Sequence, residues 1–194
     1  DLSDGMWDTI VSLPRDASPM HALRTLISAL SLEDPNADDP SEEANQRKSL
    51  AMLAKMPALI AGFERHRTGL DLVRPDPSVS IAESFLYMLT GNKPTERMTR
   101  AMDICLILHA DHGFNASTFA SLVTISTLSD MYSAVTTAIG TLKGPLHGGA
   151  NQGVMIMLQE IDGIKNTESF VMNKLANKEK VMGFGHRVYK TVDP

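Results

Sequence analysis

Along most of the chain apolar residues recur every three or four positions, the period of helices buried on one side. Ser80-Ile81-Ala82-Glu83 has the S-x-x-E form of a capping box. Ile81, Phe85, Met88 and Leu89 then share one face, and Gly91 supplies the stop. Thr95 and Glu96 begin a second helix, with Met98, Ala101, Met102, Cys105 and Leu108 as its expected buried stripe and Asp111-His112-Gly113 as its break. A third is expected from near Ser117-Thr118 through Phe119, Leu122 and Val123. Ser129-Asp130 caps a fourth, striped by Tyr132, Val135, Ile139 and Leu142 and ended by Lys143-Gly144-Pro145. A fifth begins around Gly148 to Ala150 and aligns Val154, Met157, Leu158 and Ile161. Upstream, residues 20–30 and 42–65 also read as helices. The acidic, proline-bearing stretch 32–40 between them reads as a solvated loop. The one strand-like run, 187–192, is too short to build a sheet. No repeat period or low-complexity tract appears, and the fold class is all-α.

Composition narrows the function classes. The 194 residues are 43% hydrophobic and 21% charged, ordinary for a globular domain and unlike a disordered chain. Twelve methionines against 5% aromatics suit helices packed through Leu, Met, Ile and Ala. One cysteine, Cys105, excludes a disulfide scaffold and a Cys-based zinc site. Apolar runs are short, so no membrane span is expected. A net charge of −5 argues against nucleic acid or an anionic membrane as partner, and an anionic substrate then needs a local cluster of donors. The first residues carry no secretory pattern, and Asp193-Pro194 reads as the start of a turn. The chain is therefore expected to be an internal piece of a longer cytoplasmic protein. Asn, Lys and Glu become more frequent after Gln152, which places a domain boundary near residue 150: 1–150 from one domain, 151–194 from a second and smaller one.

Four of the six histidines keep unusual company, while His21 and His66 sit in ordinary helical contexts. His109 and His112 are spaced i, i+3 at a helix end, and share a face. That pair suits a metal, an anion clamp, or a polar terminus whose imidazoles satisfy orphan carbonyls. Gly144-Pro145-Leu146-His147-Gly148-Gly149-Ala150-Asn151 sets one His among small residues at a helix start. Glycines there allow close backbone approach, the helix start is expected to present unpaired N–H groups, and the His can donate an N–H to a developing oxyanion. Gly183-Phe184-Gly185-His186-Arg187 is a second glycine-flanked His segment, suited to lying against an adenine or a phosphate. It is not a dinucleotide fingerprint, since no strand precedes it and no third glycine follows. Each segment also fits a plain turn.

Taken together, these segments resemble the citrate synthase family. The matching residues are His109-Ala110-Asp111-His112-Gly113-Phe114-Asn115-Ala116-Ser117-Thr118, Gly144 through Asn151, and Gly183-Phe184-Gly185-His186-Arg187-Val188-Tyr189-Lys190 through Asp193-Pro194. Ser129-Asp130-Met131-Tyr132 and Ala82-Glu83-Ser84-Phe85 add to the likeness, which covers the whole chain and is closest to the shorter bacterial and archaeal type. It implies a helical large domain followed by the beginning of a smaller helical one, a homodimer, and a transferase of the tricarboxylic acid cycle. That enzyme condenses acetyl-CoA with oxaloacetate and needs no metal or cofactor. By position, His147 resembles the His that hydrogen-bonds the acetyl carbonyl as it enolises. His186 resembles the one that polarises the oxaloacetate carbonyl. His112 resembles the His that holds oxaloacetate, with His109 in a supporting place. Glu179, Lys180, Val181, Met182 and Gly183 match the stretch whose backbone meets the CoA adenine. The family's Asp base and later substrate arginines would follow Pro194, so the 194-residue chain alone is expected not to turn over.

Within the family, 2-methylcitrate synthase acting on propionyl-CoA is the alternative. A non-catalytic helical dimerisation module and a His-based metallohydrolase are rivals from other classes. His112, His147 and His186 are expected to converge on one cleft. The helices between residues 80 and 145 are expected to form the dimer, because Asp130 is the only charged residue from Ala116 to Leu142.

Overall fold

The computed structural model describes residues 1–110 and 113–185. Among them the regular structure is helical: α1 (Asp4–Ser12), α2 (Pro19–Ala29), α3 (Glu42–Thr68), α4 (Ile81–Thr90), α5 (Glu96–Leu108), α6 (Ala116–Ile125), α7 (Met131–Leu142), α8 (Gly149–Ile161) and α9 (Thr167–Ala176), with 3₁₀ turns at Leu30–Glu33 and Ile164–Asn166. No helix among the described residues is long and apolar enough to cross a membrane. The strand-like run 187–192 lies outside them. Backbone contacts divide the chain into two compact units, Asp1–Thr141 and a second beginning at Leu142.

Local chemistry accounts for the helix ends. Ser80 Oγ accepts from Glu83 N at 3.2 Å, and Gly91 closes α4 at φ +74°. Thr95 Oγ1 accepts from Met98 N at the start of α5. Asp130 accepts from Ser133 N at 2.9 Å at the start of α7. The third expected helix starts at Ala116, slightly earlier than the apolar pattern indicates, because Asn115 Oδ1 caps it by accepting from Thr118 N. α1 and α9 were not brought out by the apolar pattern.

The core of the first unit gathers on α3. Leu2, Met6, Trp7 and Ile10 come from α1 and the residues before it, Ala22, Leu26 and Ile27 from α2, Met88 from α4, and Tyr132 and Ile139 from α7. They close on Met52, Ala58, Leu59, Ala61 and Phe63 of α3. Gly62 makes the closest approach possible: a Cβ there would meet Trp7 Cζ3 at 2.9 Å and Ile10 Cδ1 at 3.1 Å.

Charged residues are also built into this unit. Lys48, 1% exposed, donates from Nζ to the carbonyls of Ala37 (2.9 Å) and Asp39 (2.7 Å). Asp34 accepts from Tyr132 OH at 2.8 Å, from Asn36 N at 3.0 Å and from Arg47. The stretch 32–40 is thus exposed along much of its length yet tied to α3 and α7, more ordered than a merely solvated loop. Arg65, buried at the end of α3, donates to the Asp71 carbonyl and to Leu89 O at 3.3 Å, where α4 leaves carbonyls without helical partners. His66 is buried and pairs through Nε2 with Leu13 O at 2.9 Å, while His21 is exposed.

The expected buried stripe of α5 is not buried. Leu108 is 72% exposed, and Met98, Ala101 and Cys105 are exposed too, with only Met102 partly covered. On α6, Phe119 is 57% exposed and Leu122 and Val123 are exposed. The reason is geometric: among the described helices α5 packs chiefly against α4, one neighbour where its apolar residues would need more.

Burial pushes the Asp34 carboxyl up, but hydrogen bonds from Asn36, Tyr132 and Arg47 outweigh it and hold the group below its ordinary 3.8. A depressed folded value means stabilisation fully present above 3.8 and lost as pH falls through the folded value. D34N is therefore expected to lower stability at pH 7 by about 1–3 kcal/mol, with the gap to wild type closing below pH ~3.8 in urea titrations. Burial and then Asp34 push the Tyr132 phenol up to about 12 from 10.0. Its contribution is intact below pH 10.0 and lost as pH rises through about 12, so Y132F should narrow its gap to wild type in that window.

Candidate active site

The chain turns out of α7 through Gly144-Pro145-Leu146-His147-Gly148 into α8. Gly148 and Gly149 are required here by packing. A Cβ on Gly148 would stand 2.4 Å from Leu142 Cδ1 and 2.8 Å from Leu142 O, and one on Gly149 would stand 2.8 Å from the carbonyl oxygens of Lys143 and Gly144. The expectation of unpaired N–H groups at this helix start is corrected. Gly149 N donates to Gly144 O (3.1 Å), Ala150 N to His147 O (3.0 Å) and Asn151 N to Gly148 O (3.1 Å). The loop winds as consecutive turns, and its own carbonyls reach the donors that a straight entry would leave open. His147 is half-buried, and its backbone N–H goes to Gly144 O at 2.9 Å.

The segment Glu179, Lys180, Val181, Met182 and Gly183 runs from the end of α9 to α8, which its last two residues meet. Met182 lies over Gly153 of α8, where a Cβ would meet Met182 Cε at 2.8 Å, and Gly183, at φ +86°, abuts Val154 Cγ2. At its start, Glu179 N donates to Lys174 O at 2.8 Å and Lys174 Nζ pairs with Glu179 Oε2 at 3.1 Å, which closes the end of α9. Lys178 takes the left-handed position of that cap at φ +56°. Phe184 N donates to Val181 O, and the Phe184 ring is 81% exposed. The second unit therefore seats Met182 and Gly183 on α8, the helix into which the loop holding His147 leads. The signal for this was a small residue, Gly153, in the body of a helix.

In the first unit His109 ends α5. Its Nδ1 lies 2.7 Å from Cys105 O, so this ring satisfies a carbonyl at the helix end. Asp111 and His112 lie outside the described residues, as does His186. Among the described residues no three His, Cys, Asp or Glu side chains gather closely enough to hold a metal ion.

A family model described as citrate synthase, C-terminal domain, matches residues 1–194. The citrate synthase of Deinococcus radiodurans is 51% identical over 193 residues, covering 100% of this chain and 51% of the relative. The 2-methylcitrate synthase of Mycobacterium tuberculosis (strain H37Rv) is 47% identical over 188 residues, covering 97% of this chain and 47% of the relative. Among solved structures, the ternary complex of carboxymethyl coenzyme A and oxaloacetate with citrate synthase from Thermoplasma acidophilum superposes with a TM-score of 0.86 at 37% identity, covering 100% of this chain and 51% of that one. The chain spans about half the length of the relatives it matches.

The glycine contacts make a pair of contrasting predictions. G148A drives a Cβ into the Leu142 side chain and the Leu142 carbonyl, and should destabilise the second unit by about 1–3 kcal/mol. G153A clashes only with the terminal methyl of Met182, at 2.8 Å, while Met182 Cγ and Sδ stay at ordinary contact distance; that methyl can swing aside, and the change should cost under about 1 kcal/mol. Hydrogen exchange of α8 amides in both variants reads the difference directly.

Proposed function

The chain belongs to the citrate synthase family, and from that premise we propose that it forms part of an acyltransferase condensing acetyl-CoA with oxaloacetate to give citrate and CoA. The observation that carries the reading is the seating of Met182 and Gly183 on α8, the helix that His147 leads into. In this reading Glu179, Lys180, Val181, Met182 and Gly183 meet the CoA adenine. The acetyl group then lies at His147, whose N–H hydrogen-bonds the thioester oxygen as a base outside this chain removes a methyl proton. The resulting carbon nucleophile attacks the keto carbon of oxaloacetate, and His186 polarises that carbonyl and protonates the alkoxide. His112 holds oxaloacetate, with His109 supporting it. Water then cleaves the citryl thioester and releases CoA. Every step is acid–base or nucleophilic chemistry, so no metal or organic cofactor is needed. The large domain spans 1–150 and the small domain begins at 151; a change of compact unit between Thr141 and Leu142 supports a division in this region.

The likeness to the Mycobacterium tuberculosis enzyme named 2-methylcitrate synthase favours a second reading, in which propionyl-CoA is the acyl donor. The two donors differ by one methylene, worth only about 1–3 kcal/mol in a pocket. The protein is proposed to be cytoplasmic and dimeric. The uncovered apolar faces of α5 and α6, with Ile104, Ile107, Leu108, Phe119, Leu122 and Val123 exposed, support a second copy as their cover.

The full-length enzyme is expected to release CoA thiol from acetyl-CoA only when oxaloacetate is present, and faster than from propionyl-CoA. H147A should lower kcat by about 10²–10³-fold, the loss of one oxyanion donor. Thiol release independent of oxaloacetate would sink the assignment, and a preference for propionyl-CoA would select the second reading. Light scattering of the same enzyme should give a dimer, and placing Lys at Leu108 and Phe119 should shift it toward monomer. A wild-type monomer at micromolar concentration would remove the dimer from the proposal.

A further inference from the structure

The stretch that leaves α9 and returns to α8 is held at two ends. At the first, Glu179 N donates to Lys174 O at 2.8 Å, Lys174 Nζ pairs with Glu179 Oε2 at 3.1 Å, and Lys178 turns the chain at φ +56°. At the second, the half-buried Met182 side chain lies across Gly153 of α8. Its Cε, Cγ and Sδ stand 2.8, 3.5 and 3.8 Å from where a Cβ of residue 153 would be. Gly183 follows at φ +86°, and the lack of a side chain there lets the backbone close on Val154 Cγ2. Phe184 N donates to Val181 O at 3.3 Å. Among the described residues the backbone N–H groups of Lys180 and Val181 make no hydrogen bond. The segment is therefore anchored before Lys180 and after Val181, with the peptide groups between left open. Met182 turns its apolar side chain to α8.

We propose that Met182 is a positioning residue for the acyl-CoA: its side chain docks across Gly153 and so holds the peptide groups of Lys180 and Val181 in place for the adenine, without touching the nucleotide itself. This rests on the reading above that residues 179–183 meet the CoA adenine. A strap fixed at both ends loses little freedom when a ligand settles on it, whereas the ordering of a strap loose at one end counts against binding. Substrate that is already bound reacts at the ordinary rate, so the effect falls on KM and not on kcat. In the full-length enzyme M182A should raise the KM for acetyl-CoA by about three- to tenfold, with kcat and the KM for oxaloacetate within about twofold of wild type. M182L, close in volume, should recover most of that loss. G153L fills the seat with its own side chain and should reproduce the M182A pattern, yet add little in the M182A background, because both changes act on one contact. Trypsin should cut after Lys180 faster in M182A than in wild type, since an unanchored strap opens more often.

Equal rises in both KM values, or a fall in kcat with both unchanged, would put Met182 to work on the whole unit or on the chemistry and overturn the proposal. Unchanged kinetics in M182A would overturn it too, and faster cleavage after Lys180 would then mark a purely structural contact. A KM in M182L as high as in M182A, or a full further rise when G153L is added to M182A, would show that docking in the Gly153 seat is not the cause. If the wild-type enzyme shows no oxaloacetate-dependent reaction, the functional reading fails by itself, and cleavage after Lys180 in M182A and G153L still decides whether Met182 holds the segment.

Discussion

Where α1 meets α3, the indole of Trp7 occupies the space that a Cβ on Gly62 would take, 2.9 Å from Trp7 Cζ3. This approach governs the first unit. It lets Trp7 and Ile10 reach the stretch of α3 that carries Ala58, Leu59, Ala61 and Phe63. Small residues at 58, 61 and 62 draw neighbours inward, and Leu59 and Phe63 fill the remaining volume. A larger residue at 62 would push α1 outward and open a gap along the whole contact, and gaps in a close-packed interior forfeit dispersion contacts outright. Arg74 lies over the indole ring, 5.2 Å from its centroid, and pairs with Asp4 at 2.7 Å.

Around this apolar turn the buried charges follow one rule: each finds backbone carbonyls or a fixed partner. Lys48 takes two carbonyls of the stretch before α3, and Arg65 takes one beyond α3 and one at the end of α4. Asp34 gathers Tyr132, Arg47 and a backbone N–H. A buried ion without such bonds is costly, so these side chains and the segments they grip must be placed together. That coupling ties the irregular stretches 32–40 and 69–72 to α3.

The second unit works on a smaller scale and through glycine. Gly148 and Gly149 let the turn before α8 fold back on Leu142, Lys143 and Gly144, and Gly153 receives Met182. These contacts fix the backbone of the turn that holds His147 and seat Met182 and Gly183 further along the helix it enters. In the first unit α5 and α6 have the opposite character, with apolar faces that the chain's own described helices do not cover.

Much of this was legible in the amino-acid order. The ends of α4, α5 and α7 follow from Ser80, Glu83, Gly91, Thr95 and Asp130, because capping is local chemistry between residues three or four apart. The family likeness followed from glycine and histidine segments whose spacing is its own signature. α9 escaped because it buries none of its residues and shows no stripe, whereas α1 carried Met6, Trp7 and Ile10 at readable intervals after a Ser3 cap. The other differences belong to the tertiary level. Periodicity shows that a helix has an apolar face but not what covers it, so the exposure of α5 emerged only when its neighbours were placed. A lysine in a helix reads as solvent-facing until two distant carbonyls converge on it, as they do on Lys48. The donors at the start of α8 are closed by carbonyls of the preceding turn. Which ring nitrogen of His109 carries the hydrogen is decided by where the chain puts the Cys105 oxygen, a distance that no residue order states.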